Sequence, residues 1–227
     1  MDRLSHVRIL KRVGSVLVAV GLIDIAIMVY CVANSIAYSS SFNIFAVVAG
    51  IFLMRGSLRA ASIVHWFALF MLAGFLALSV AWPFMQPFDL TLTQLRLNPG
   101  SDIAAVAFIA FVVALLFWLT RELNLKPIQA ARAAAGLKDR NIRIPIAGGI
   151  GLVVFMALFM GQLLGGETAA RAKSVAKQQL GSGFSYHVSS LNITKNSQGT
   201  FVDGVVTAWN HKEIKEVPVQ WEERQGF

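Results

Sequence analysis

Charge is scarce in this sequence. Of its 227 residues only 14% are Asp, Glu, Lys or Arg, and 56% are hydrophobic. An average soluble domain carries about 25% charged residues. The mean hydropathy is +0.63. A soluble fold of this length would struggle to hide that much apolar surface, whereas a bilayer asks for no aqueous cover. Cysteine is nearly absent as well. Cys31 stands alone inside an apolar run, which excludes an intramolecular disulfide, a dithiol redox pair and a cysteine-based zinc cluster.

Acidic residues are few, 12 against 20 basic ones, for a net charge of +8 and a pI near 10.1. In a soluble chain that excess would point to nucleic acid. In a chain this apolar the positive-inside rule accounts for it, and no nucleic-acid partner is expected. A cleavable leader is not expected either. The first apolar run lacks a small-x-small site with a polar exit and is long enough to remain as a span.

What the sequence does contain is a series of apolar runs. Five transmembrane helices are expected, at 13–32, 36–54, 60–82, 103–120 and 144–164. A run of about 20 residues makes roughly 30 Å of helix, the thickness of the hydrocarbon core. The second run is the weakest. It opens on Tyr38, Ser39, Ser40 and Ser41, and its strongly apolar part covers only 42–54. A re-entrant segment there, leaving four spans, is the competing topology. The third run is expected to end at Pro83, and Gly165 and Gly166 close the fifth.

Basic residues orient these runs. Arg3, Arg8, Lys11 and Arg12 precede the first, and Arg55 and Arg59 separate the second from the third. Arg121, Lys126, Arg132, Lys138, Arg140 and Arg143 separate the fourth from the fifth. The alternate connections, 33–35 and 83–102, hold Arg96 alone. This bias sets the N-terminal segment, 1–12, in the cytoplasm and, after five crossings, the C-terminal tail on the far side. The expected location is a bacterial inner membrane with a periplasmic tail. Connection 83–102 reads as a short helix between proline breaks, more readily a cap over the bundle than a helix lying at the interface. Segment 121–143, with Ile128, Ala131, Ala135 and Leu137 near helical spacing, reads as a basic helix on the membrane surface, as a simply topogenic strip, or as both.

From residue 167 the composition changes and charge becomes balanced. Residues 167–180 read as a helix closed by Gly181 and Gly183. Strands are expected at 184–194, 201–209 and 214–222, with turns at 196–199 and 210–213. The first carries Tyr186, Val188, Leu191 and Ile193. The second sets Phe201, Val205 and Trp209 on one face and Val202, Val206 and Ala208 on the other. The third aligns Val217, Val219 and Trp221. The expected fold is thus mainly α, a polytopic membrane helix bundle with a small C-terminal α+β domain of one helix and a three-stranded antiparallel meander (167–227). About 60 residues without a disulfide lie near the lower limit for an independent core.

Few residues offer chemistry. Asp24 is the one acid deep in a span, and a lone carboxylate there costs about 2.5–3.5 kcal/mol on insertion scales. It reads either as a proton or cation site or as a hydrogen-bonded acid that joins helices. His65, beside Trp66, reads more readily as part of an interfacial aromatic belt than as a relay to Asp24. Gly14 and Gly21, Ala46 and Gly50, Ala73 and Ala77, and Ala157 and Gly161 form small-residue faces for close helix packing. Gly148-Gly149-Ile150-Gly151 is no phosphate loop, since no strand precedes it and no Lys-Ser/Thr follows. Asn192-Ile193-Thr194 matches a glycosylation sequon of low specificity, and His187 and His211 are too isolated for a metal site.

No cofactor and no enzymatic activity are expected. The reading is a non-enzymatic membrane protein, in contact with lipid, that assembles or anchors a complex through a protein partner of its tail. An edge strand is a ready pairing surface, and Trp209 and Trp221 are the tail's interaction candidates. The alternative is a small transporter or channel subunit using Asp24. The oligomeric state is not encoded in any motif.

Overall fold

The computed structural model describes residues 3–36, 38, 43–138, 140–196 and 199–223. In chain order these form α1 (Arg3–Ala33), α2 (Asn43–Met54), α3 (Leu58–Met85), α4 (Phe88–Leu97), α5 (Pro99–Leu123), α6 (Lys126–Ala134), α7 (Arg143–Gly165) and α8 (Glu167–Leu180). The strands β1 (Ser185–Asn196), β2 (Gly199–Trp209) and β3 (Ile214–Glu223) follow. Among the described residues four helical segments are long and apolar enough to cross a bilayer: Ser5–Ala33, Leu58–Trp82, Asp102–Leu123 and Arg143–Gln162. By length and composition this is a multi-pass membrane protein with a small sheet at its C-terminal end.

The second expected span is corrected. Its helical part, α2, has 12 residues, or about 18 Å, well short of a hydrocarbon core of about 30 Å. Residues 37 and 39–42 of that expected span lie outside the described residues. The helix coincides with the strongly apolar stretch, and the Tyr-Ser-Ser-Ser run ahead of it offers no apolar face to lengthen it. The third span passes its expected stop, since α3 continues through Pro83 to Met85. Proline is tolerated in membrane helices more readily than in soluble ones.

The chain divides into two compact units, Met1–Gly74 with Phe111–Gly149, and Phe75–Ala110 with Ile150–Phe227. In the first, α1 and α2 pack along each other. A Cβ at Gly14 would lie 2.5 Å from the Gly50 carbonyl oxygen, and one at Gly50 would lie 2.6 Å from that of Gly14. Backbones this close exclude any side chain at the crossing. Leu10, Val13, Leu17, Leu53, Ala61, Ala68, Leu119, Leu123 and Ile128 form one core. That core joins the start of α1 to the end of α2, the start of α3, the end of α5, and α6. The three basic segments of the sequence therefore gather at one end of this unit. Arg12 stacks its guanidinium 5.8 Å from the Trp118 ring there. Gly149 of α7 lies against α3, where a Cβ would collide with the Phe70 carbonyl and the Gly74 amide.

Helix α6 occupies the expected surface segment, but it is not simply a topogenic strip. Ile128 is fully buried and Arg132 is 8% exposed. These two residues share a face by i, i+4 spacing. The helix ends where Gly136 takes φ +66°, with Gly136 N–H on Ala133 O and Leu137 N–H on Arg132 O, both at 3.0 Å. This paired C-terminal closure needs a left-handed residue.

In the second unit, α8 lies on one face of a sheet ordered β1-β2-β3. Its core is Ala169, Ala172 and Ala176 against Val188, Val206, Ala208, Val217 and Val219. The small alanine face lets the helix approach the sheet. A β-bulge falls between Val188 and Ser190. Before it, Tyr186 and Val188 oppose Ala208 and Val206; after it, Leu191 and Ile193 oppose Gly204 and Val202. The extra residue keeps all four on the helix-side face despite their broken alternation. Gly204 sits opposite the bulge, where a Cβ would strike the Ser190 carbonyl and lie 2.9 Å from Leu191 Cδ2. The expected packing face at Gly161 is not realised, since a Cβ there would meet nothing within 4 Å.

Candidate functional site

Asp24 lies ten residues from the start of α1's close approach at Gly14 and is half-buried. Tyr38, fourteen residues further along the chain, donates its phenolic hydroxyl to Asp24 Oδ1. The same hydroxyl lies 3.3 Å from the Asp24 main-chain oxygen. A phenolic hydroxyl can donate to a carboxyl oxygen in this way. A carboxyl in an apolar span is costly without such a partner, so the contact both stabilises the acid and ties the chain after α1 back onto it. Tyr38 carried no mark in the sequence beyond its polarity. Its role arises because the chain reverses between α1 and α2.

His65 is 8% exposed. Its neighbour Trp66 stacks along α3 on Phe70, with centroids 6.3 Å apart and planes within 1°. The guanidinium of Arg132, on α6, acts electrostatically on the His65 imidazole. Asp24 is held by Tyr38. Sequence reasoning missed Arg132 because its charge suggested solvent. The i, i+4 relation to Ile128 was the available signal.

The tail candidates have separate surroundings. Trp209 is 7% exposed. It lines a cavity of about 330 Å³ with Ser185, Asn210 and His211 of the tail and Asp89, Leu92, Thr93 and Arg96 of α4. Asn210 is occupied in its own turn, its Oδ1 accepting from Lys212 N–H at 2.8 Å and Glu213 N–H at 2.9 Å. Trp221 is half-buried on the opposite, helix-side face, and the Arg171 guanidinium lies 5.7 Å from its ring. Helix α8 thus covers Trp221, and neither indole lies open on the surface. His187 is held below its ordinary pKa near 6.5, first by burial and then by the Lys173 charge.

Among the described residues no three His, Cys, Asp or Glu side chains converge in a way that would hold a metal ion. Cys31 is a half-buried free thiol. Comparison with protein-family models, curated proteins and solved structures finds no match to this chain.

Proposed function

We propose that this chain is a non-enzymatic component of a bacterial inner membrane that assembles or anchors a membrane complex through its C-terminal tail. The observation that carries the reading is the tail's sheet. In it β1 and β3 each pair on one side only, above a core of its own formed with α8. An unpaired edge recruits an extended segment of a partner through main-chain hydrogen bonds. Of the two edges β1 suits this better. Strand β3 carries Pro218, which removes a donor from its middle, and Glu216 and Glu222 beside it, all devices that discourage pairing. Past its bulge, β1 offers Ser190–Thr194, with Ile193 46% exposed.

The proposed orientation is N-terminus cytoplasmic and tail periplasmic. The gathering of Arg8, Arg12, Arg55, Arg59, Arg121 and Lys126 about one core supports it. Because α2 runs back along α1, it returns the chain to this basic end even though it is too short to cross alone. Helices α3, α5 and α7 then make three further crossings. The Tyr38 hydrogen bond supports a joining role for Asp24 rather than the transport alternative.

Two measurements test the proposal. Alkaline phosphatase fused after residue 227 should be active, and a fluorescent green reporter in its place should be dark; the reverse pattern overturns the orientation. A stoichiometric protein partner should co-purify with the full chain in mild detergent and be lost with Ile193→Lys. Undiminished capture by that variant overturns the edge assignment.

A further inference from the structure

One further cavity belongs to none of the sites above. It has a volume of about 710 Å³ and is lined by Arg59, Ser62, Ile63 and Trp66 of α3 with Leu137, Lys138, Arg140, Asn141 and Ile144 around the α6–α7 connection. Its size falls in the usual range for small-ligand pockets. Three cations surround it, and no carboxylate is among its described lining residues. Asp139, between two of those cations in the chain, lies outside the described residues. Like charges around one cavity repel, and an anion between them relieves that repulsion.

The lining is also graded. Along α3 the wall runs from Arg59 through Ser62 and Ile63 to Trp66, seven residues or about 10 Å into the span. On the facing side Lys138, Arg140 and Asn141 precede Ile144, the second residue of α7. Cations and polar groups therefore stand at the helix ends, and apolar surface stands deeper. Asn141 uses its oxygen to accept from Arg143 N–H at 3.0 Å, which leaves its amide NH2 as a donor. The closure of α6 at Gly136 holds the backbone that carries Leu137 and Lys138.

We infer that this cavity binds the phosphate headgroup of an anionic glycerophospholipid, with an acyl chain along Ile63, Trp66 and Ile144. Basic pockets between membrane helices suit such headgroups. A free phosphate ion would account for the cations but not for the apolar depth. The inference requires only that the long helices cross a bilayer and is independent of the tail's role.

Native mass spectrometry of the full chain from mild detergent tests it, with phosphatidylglycerol, phosphatidylcholine and inorganic phosphate as separate probes. The wild type is expected to retain one phosphatidylglycerol in preference to phosphatidylcholine. Combined Arg59→Gln, Lys138→Gln and Arg140→Gln should weaken that binding about 100-fold. Arg140→Gln alone, in an exposed connection, should weaken it in the same direction should the triple variant fail to fold. Arg8→Gln with Lys11→Gln, which removes two cations outside the cavity, should leave it unchanged. Equal retention of the two lipids overturns the inference, as does an equal loss in the Arg8 and Lys11 variant. Displacement of the lipid by inorganic phosphate at matching concentration would make this a free-phosphate site and overturn the lipid assignment.

Discussion

Gly14 and Gly50 bring α1 and α2 into backbone contact, each leaving only 2.5–2.6 Å between the other's carbonyl oxygen and any Cβ it might carry. Gly50→Leu should therefore force the helices apart, since Val18 N lies 3.0 Å from the same Cβ position. Overpacking of this kind costs about 1–3 kcal/mol. Thermal unfolding in mild detergent should show the loss. Gly151→Ala, where a Cβ meets nothing within 4 Å, should be neutral or slightly stabilising by the same assay.

Tyr38→Phe removes the donor to Asp24 and should cost about 0.6–2 kcal/mol, the span of interhelical hydrogen bonds in membranes. Asp24→Asn keeps an acceptor in place and should insert and unfold much like the wild type. A large loss on Asp24→Asn with none on Tyr38→Phe would contradict the joining role.

Gly204→Ala should loosen the tail by about 1–3 kcal/mol, because its Cβ would meet the Ser190 carbonyl opposite the bulge. Deleting Ser189 should be milder, because the shortened strand sets Val188, Leu191 and Ile193 in strict alternation on the face toward α8. Amide hydrogen exchange in β1 and β2 of the full chain reads both effects.

His187 gives the tail a pH dependence of defined sign. Its folded pKa lies below the ordinary value near 6.5, through burial and then through Lys173. The unfolded chain thus takes up a proton first as pH falls. Tail stability should be unaffected well above 6.5, decline as pH drops below it, and level off below the folded pKa. His187→Gln should flatten this profile in hydrogen exchange measured between pH 7.5 and 5.

The sequence by itself determined the four long membrane helices, the helix at Glu167–Leu180 and the three strands. Each rests on a local pattern: an apolar run of bilayer length, a glycine stop, or alternation along a strand. Even the break in alternation at Val188 and Leu191 was present in the letters. Its resolution as a bulge required a partner strand carrying Gly204. The small faces at Gly14 and Gly50 were legible too, but not that they belong to one crossing, because residue spacing says nothing about which helices meet.

Only the tertiary structure decided the rest. It showed α2 to be a half-length leg rather than a full span. It gave Asp24 a hydroxyl fourteen residues away, and it buried both Arg132 and His65. It also gathered Arg59, Lys138 and Arg140, scattered over some eighty residues of chain, around one cavity. Hydropathy is a property of neighbours in sequence, whereas these relationships depend on chain reversals that bring distant charges and donors together.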